Sequence, residues 1–419
     1  MEKFKKFLVK QIVDLKKSAT FELLLKKIFI FFKISLIYTM YFILSILPIC
    51  LIILLKPFIH IRIGEIDSST FGNFVYCPTH YYLKKRKKFD FIFINTNYSF
   101  HNTQLVKMWK RKIDIYPLFL LLPIYAILKI FPFGKIFIIK SLITRYDLDY
   151  ENKIAQKKVL FFSEKEKNKG LNFLKDQGLN SRDKFICLIV RDDKFQKQKL
   201  NSSFDYSIHD YRHTDIEKFE PALNELVKKG YFIFRMGKNV RKRLNTNNPK
   251  IIDYASDFQN DFLDIFLGAN CEFCITTGTG FDDVPLVFNR PQALISTPLG
   301  DARSYIHNFI FITKHHYNFK EKRLLTLNEI LKHKLDRILD TKKFQEKDII
   351  LKENTEEEIK DLVFDLIDNI ECKIISDKET NLQKKFYEIV CSHRPDLKKI
   401  NFSHKISKSF LIKNEWWLS

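Results

Sequence analysis

The chain has 419 residues, 46% of them hydrophobic, and 71 Lys and Arg against 49 Asp and Glu, for a formal net charge of +22. That length and apolarity leave room for two domains and a large core, which excludes a disordered protein. The charge suits an anionic membrane surface or a phosphorylated substrate, or reflects only a Lys-, Ile-, Phe- and Asn-rich composition; no zinc-finger, helix-turn-helix or RNP pattern is present, so nucleic acid is not an expected partner.

The first 33 residues carry nine Lys and three acidic residues at spacings that suit a basic amphipathic helix on anionic lipid. Ile34 to Leu55 has no charge and is long enough to span a bilayer. It is too long for a cleavable signal, and no small-residue cleavage site follows. Lys56, Arg62 and the run "LKKRKK" make the far flank basic too, so both flanks favour the cytoplasm. Pro48 lies inside the run, where it can break a helix. A bent or in-plane segment with both ends cytoplasmic fits these facts best; a true span and a buried soluble hairpin stay open. A second apolar stretch, Tyr116 to Lys140, is broken by Pro123, Lys129, Pro132 and Gly134 and reads as membrane-surface contact or core.

Residues 60–165 read as a small α/β unit, with a strand ending at Gly64 and another over Phe89–Asn95. Ser163–Gly170 is polar and reads as a solvated linker or helix start. From Lys184 onward strands and helices alternate, the pattern of a parallel α/β sheet. "KFICLIV" is a buried strand that ends at Arg191. A polar loop, "NSSFDYSIHDYRHTD", follows it. A helix opens at Thr214, contains Pro221 as a kink and closes at Gly230. "YFIFR" ends at Arg235 and Gly237, "KIIDYA" is another strand, and a helix capped by Asp257 follows. "EFCITT" then runs into Thr277-Gly278-Thr279-Gly280 and a short helix from Phe281, before the strand "PQALIST".

Ligands of open parallel α/β sheets sit beyond the carboxyl ends of the strands. Three such ends here carry Arg191, Arg235 with Gly237, and the 277–280 turn. Guanidinium groups clamp phosphate oxygens bidentately. Glycines admit close backbone approach, and a helix N-terminus presents free N–H groups to an anion. A phosphorylated ligand is therefore expected, most simply a nucleoside diphosphate. A plain tight turn is the competing reading, because 277–280 is neither a Walker A nor a GxGxxG motif. Asp282 and Asp283 suit the helix dipole but repel phosphate. Seven scattered Cys point to reduced thiols in a cytosolic compartment. Cys271 and Cys274 form a CxxC with no second pair, so no metal is expected.

The segments "HDYRHTDIEKFEPALNELVKKGYFIFRMG", "IIDYASDFQNDFLDIFLGANCEFCITTGTGFDDVPLVFNRP" and "NTQLVKMWKR" resemble a family of uncharacterised bacterial glycosyltransferases, named by inference, whose members accompany surface-polysaccharide genes. The resemblance covers most of residues 60–310. It implies a GT-B fold: two Rossmann-like domains facing across a cleft, the N-terminal one (60–165) for the acceptor and the C-terminal one (166–345) for the nucleotide-sugar, with residues 1–59 at the membrane and 346–419 a helical tail. It implies a nucleotide-diphosphate sugar as donor substrate with no further cofactor, and a lipid-linked or polysaccharide acceptor at the cytoplasmic face of the inner membrane, reached by a monotopic or single-span protein.

Arg191 and Arg235 would then hold the diphosphate, with Gly237, Thr277, Gly278, Thr279 and Gly280 around it. His209 and Arg212 would face donor sugar or base, or belong to a merely solvated loop. The catalytic base would come from across the cleft, where Glu65, His80 and His101 are candidates. Asn102 and Gln104 would touch acceptor or donor. A metal-dependent GT-A enzyme would use "DLD" at 147–149, a common tripeptide placed before the clear βα pattern rather than within it. Trp416 and Trp417 suit either a membrane interface or a C-terminal staple. Two further readings share the cleft: a transferase with a non-sugar donor, and a non-catalytic anion- or glycan-binding protein.

Overall fold

The computed structural model describes residues 21–84, 88–96, 102–142, 157–192, 206–297, 299, 309–373, 376–395 and 405–419. The chain is α/β with parallel sheets, as its strand–helix alternation predicts. It opens with α1 (Phe21–Leu55), which continues through Pro48 rather than breaking there. Proline removes one backbone N–H, and in an apolar segment a continuous helix satisfies nearly all the others. The Ser45 hydroxyl donates to Tyr41 O one turn back.

β1 (Arg62–Ile66) and β2 (Asp90–Ile94) pair in parallel, with Glu65 opposite Phe93. Single bridges at Ile138 and Ile115 extend this small sheet on both edges. Around it lie α2 (Phe71–Leu83), α3 (Thr103–Lys110) and α4 (Leu118–Ile130). α5 (Glu164–Asp176) follows, so the polar stretch Ser163–Gly170 is a helix start rather than a linker. Its start was written in the sequence as Ser163-x-x-Glu166, and both halves of that capping box form.

The main sheet has seven parallel strands in the order β12-β8-β7-β6-β3-β4-β5. They are β3 (Phe185–Ile189), β4 (Phe232–Arg235), β5 (Ile251–Ile252), β6 (Cys274–Thr276), β7 (Gln292–Thr297), β8 (Phe309–Thr313) and β12 (Lys405–Ile406). β9 (His315–Asn318), β10 (Arg323–Leu324) and β11 (Ile349–Lys352) form a small antiparallel sheet beside it.

β3 explains why these strands read as unbroken apolar runs. Ile186 and Leu188 face one core, with Ala222, Leu223 and Leu226 of α6 (Glu220–Lys228). Phe185, Cys187 and Ile189 face the other, with Phe262 and Phe266 of α7 (Asp261–Asn270). Both faces are covered, so alternation is lost. Met108 and Trp109 of α3 enter that second core, so the N-terminal unit and the main sheet share it.

Helix starts moved by a few residues from their expected places. Asp215 rather than Thr214 caps the turn before α6, and Pro221 falls in the helix's first turn, where its missing N–H costs nothing. Asn260 rather than Asp257 caps α7. Trp417 is buried against Phe386 and Phe410, so one of the two C-terminal tryptophans staples the tail, while Trp416 is exposed.

Asp264 on α7 is buried and accepts from the Tyr254 hydroxyl (2.7 Å) and the Gln259 amide (2.8 Å). Burial pushes its carboxyl up to about 7. The folded chain thus keeps a proton that the unfolded chain releases near pH 4. Its contribution to stability is full below that pH and is lost as pH rises through about 7. Melting curves of Asp264→Asn and wild type should therefore diverge in the variant's favour from pH 5 to pH 8. A constant difference across that range would show that Asp264 is ionised throughout.

Candidate functional site

From β3 the chain steps outward one way, to β4 and β5. From β6 it steps the other way, to β7 and β8. The order therefore reverses between β3 and β6, the place where open α/β sheets form a ligand crevice. Arg191 and Thr277 stand at the carboxyl ends of these two strands. Thr277 N donates to Ile189 O (3.2 Å), and Arg191 N donates to the Thr277 hydroxyl (2.8 Å). The Arg191 backbone is thus fixed on the turn and its side chain starts from the crevice.

The loop after β3 returns to the same place. Residues Tyr206–Arg212 form 3-10 turns. The His209 imidazole is held below its usual range, first by partial burial and then by the charges of Arg191 and Arg212. Both guanidiniums are therefore near enough for their charges to bear on the imidazole. Arg212 stacks on Tyr211 at 5.1 Å and donates to its hydroxyl (2.7 Å). Tyr211 is buried against Phe344, and its N–H donates to the Thr341 hydroxyl. Lys314, buried just beyond β8, donates to His213 O (2.6 Å). Burial lowers its ammonium to about 8. The loop is thus tied at both its core and its base.

The 277–280 turn is built differently from the expectation of free backbone donors. Gly278 takes φ +82°, a conformation that favours glycine. Its N–H donates to the Thr276 hydroxyl, Thr279 N donates to Asp282 Oδ2 (2.7 Å), and Phe281 N donates to the Thr279 hydroxyl. Both threonine hydroxyls, at 276 and 279, donate to Asp282 Oδ1. Asp282 is therefore the internal anion of this turn, and the turn's own donors satisfy it. The pattern Thr279-x-x-Asp282, a capping box, was its signal. Gly280 serves contact: a Cβ there would lie 2.9 Å from Gly72 N at the start of α2. Phe71 and Phe281 stack beside it at 6.5 Å.

Arg235 also departs from its expected role. It is 2% exposed, and its guanidinium donates to Asp253 Oδ1 (3.1 Å) and to Lys242 O (3.1 Å). Asp253 accepts as well from Leu244 N and the Ser256 hydroxyl. The pair ties down the loop after β4 instead of facing the crevice. Gly237 sits in that loop at φ +150°, with Val240 against it.

Glu65 accepts from the Asn95 amide (2.8 Å) at the carboxyl ends of β1 and β2. His80 is 1% exposed inside α2 and faces the core beside Tyr76, which removes it from the crevice. His101 and the tripeptide 147–149 lie outside the described residues. Asn102 and Gln104 lie in the seam between α3, α5 and α7. Asn102 donates to Asp261 O, Thr103 donates twice to the Asp261 carboxylate, and Gln104 donates to Glu166. Arg111 also grips Glu166, holding that carboxyl down at about 2.

No family model matches this chain, and no curated protein is similar to it. Among solved structures, the chain is similar to the ADP-heptose lps heptosyltransferase II of E. coli. The two are 15% identical with a TM-score of 0.37, over 60% of this chain and 90% of that one. It is also similar to a glycosyl transferase family 9 protein from Veillonella parvula, 12% identical with a TM-score of 0.38, over 74% of this chain and 98% of that one. Likenesses at these values carry no argument about function, which has to come from the crevice itself.

Proposed function

We propose that this chain is a glycosyltransferase that moves a sugar from a nucleoside-diphosphate donor to a lipid-linked surface-polysaccharide acceptor at the cytoplasmic membrane face. The observation that carries the reading is the place of Arg191, held through its backbone on Thr277 where the main sheet reverses its strand order, with His209 and Arg212 on the loop that follows β3. Two guanidiniums there suit the charge that develops on a departing diphosphate. They supply that charge without a divalent cation, so a metal-independent transfer is proposed. Residues 166–345 would form the nucleotide-sugar domain and residues 60–165 the acceptor domain of a GT-B arrangement.

In the proposed reaction the bond between the anomeric carbon and the diphosphate oxygen breaks, and one forms to an acceptor hydroxyl. Arg191 and Arg212 stabilise the leaving diphosphate. Glu65 takes the hydroxyl proton, and Asn95 holds its carboxylate in place. A donor carrying a phosphate but no sugar would suit the same cations, and the substrate panel below separates the two readings.

The test is transfer from a panel of labelled nucleotide-sugars to isolated bacterial membranes by the detergent-purified protein. Label should enter the solvent-extractable lipid fraction with one donor. Glu65→Gln should lower kcat about 100-fold or more with little change in KM, the usual range for a lost general base. Absence of transfer from every donor, or full activity in Glu65→Gln, would remove this assignment.

A further inference from the structure

α1 is apolar over Leu25–Leu55, and only 11% of its best window is buried. It does not stand alone. Ile49 and Ile52 pack into one core with Leu121, Ile124, Ile127 and Leu128 of α4. Next to that core lies a second apolar ridge. Phe119 is 75% exposed and Leu120 53%, at the start of α4. Ile130, Phe131, Phe133 and Ile136 are exposed at its far end and in the turn Pro132–Phe137. Phe131 and Phe133 stack at 5.4 Å. Gly134 keeps that turn tight, since a Cβ there would lie 2.0 Å from Leu128 O.

Along the segment that follows Asp114 the charge has one sign. From Ile115 to Leu142 there is no acidic residue, and Lys129, Lys135 and Lys140 are all exposed. Water is a poor solvent for exposed aromatic and aliphatic side chains grouped at each end of one helix. A helix of 13 residues is about 20 Å long, too short to cross a hydrocarbon layer of about 30 Å. Apolar residues at both ends with lysines among them suit a helix lying in the plane of an anionic interface.

We propose that α4 and the turn after it form a second membrane contact, an in-plane seat on an anionic bilayer beside α1. The seat bears on the crevice. Ile63 and Phe93 pack onto α4, and Glu65 lies on their face of the small sheet, two residues on from Ile63 and paired with Phe93. The bilayer would thus lie on the side of the sheet that carries Glu65. The seat itself stands whether or not the crevice transfers a sugar.

The test uses full-length Phe133→Trp in vesicles of phosphatidylcholine, with or without phosphatidylglycerol, with lipids brominated high or low on the acyl chain. Wild-type emission is subtracted to remove the native tryptophans. The added indole should be quenched by about half or more by the shallow bromines, and less by the deep ones. Lys129→Gln/Lys135→Gln/Lys140→Gln in that background should lose most of this quenching difference between the two lipid compositions. No bromine quenching, with full access to acrylamide, would overturn the proposal. A dimer in detergent that Phe131→Ser/Phe133→Ser dissociates, with no bromine quenching, would overturn it by giving the ridge to a second copy of the chain.

Discussion

Arg191→Ala should weaken binding of the matching nucleoside diphosphate about 100-fold, since a charge-assisted contact to phosphate in a partly dry site is worth roughly 2–3 kcal/mol. The backbone N–H of Arg191, which donates to Thr277, survives the substitution. Arg191→Lys should recover only part of the affinity, because an ammonium cannot form the two parallel bonds of a guanidinium. Titration calorimetry on the purified variants reads both numbers. Unchanged affinity in Arg191→Ala would move the anion away from the end of β3.

Asp253→Ala should have the opposite profile. Removing one partner of a buried ion pair leaves the other charged and unpaired, at a cost of about 3–5 kcal/mol. Here it leaves Arg235, 2% exposed, against Lys242 O alone, and it frees Leu244 N and the Ser256 hydroxyl as well. Denaturant or thermal unfolding should show a large loss of stability, and Arg235→Ala should show a similar one. Arg235→Met, which fills the space without the charge, should be milder when combined with Asp253→Leu. If Asp253→Ala unfolds like wild type and instead loses ligand affinity, Arg235 is a ligand residue after all.

The contrast between these arginines shows how far the sequence could be read. Both close an apolar strand, at "LIVR" and "FIFR", and strand ends are where ligands sit, so the two looked alike. What separates them is Asp253, 18 residues further on and beyond an unpatterned loop. No local spacing announces a partner at that range. The parallel sheet itself was legible because apolar runs of four to six residues alternate with helices closed by Gly230 or capped by short polar residues. The 277–280 turn was half legible. Its glycines marked a tight strand-to-helix turn, and Thr279-x-x-Asp282 already named the internal acceptor, which turns the repulsion expected of Asp282 into the turn's own anchor. His80 failed as a crevice residue because α2 turns it inward, a fact of helix phase set by tertiary packing. β9 to β12 went unread because they are only two to four residues long, whereas β8 is as long as β3 and nearly as apolar and was legible, though unread.

A nucleoside diphosphate is proposed to sit where β3 and β6 diverge, against Arg191, His209 and Arg212. A thermal-shift series on the detergent-purified full-length protein with UDP, GDP, ADP, CDP and dTDP, in the presence and absence of EDTA, tests it most directly, because a ligand that binds only the folded state raises its melting temperature. One of the five should raise it by several degrees at millimolar concentration, equally with EDTA, and should lose that effect in Arg191→Ala and Arg212→Ala while keeping it in His80→Ala. No shift with any of the five, or a shift that survives both arginine substitutions, would contradict the account.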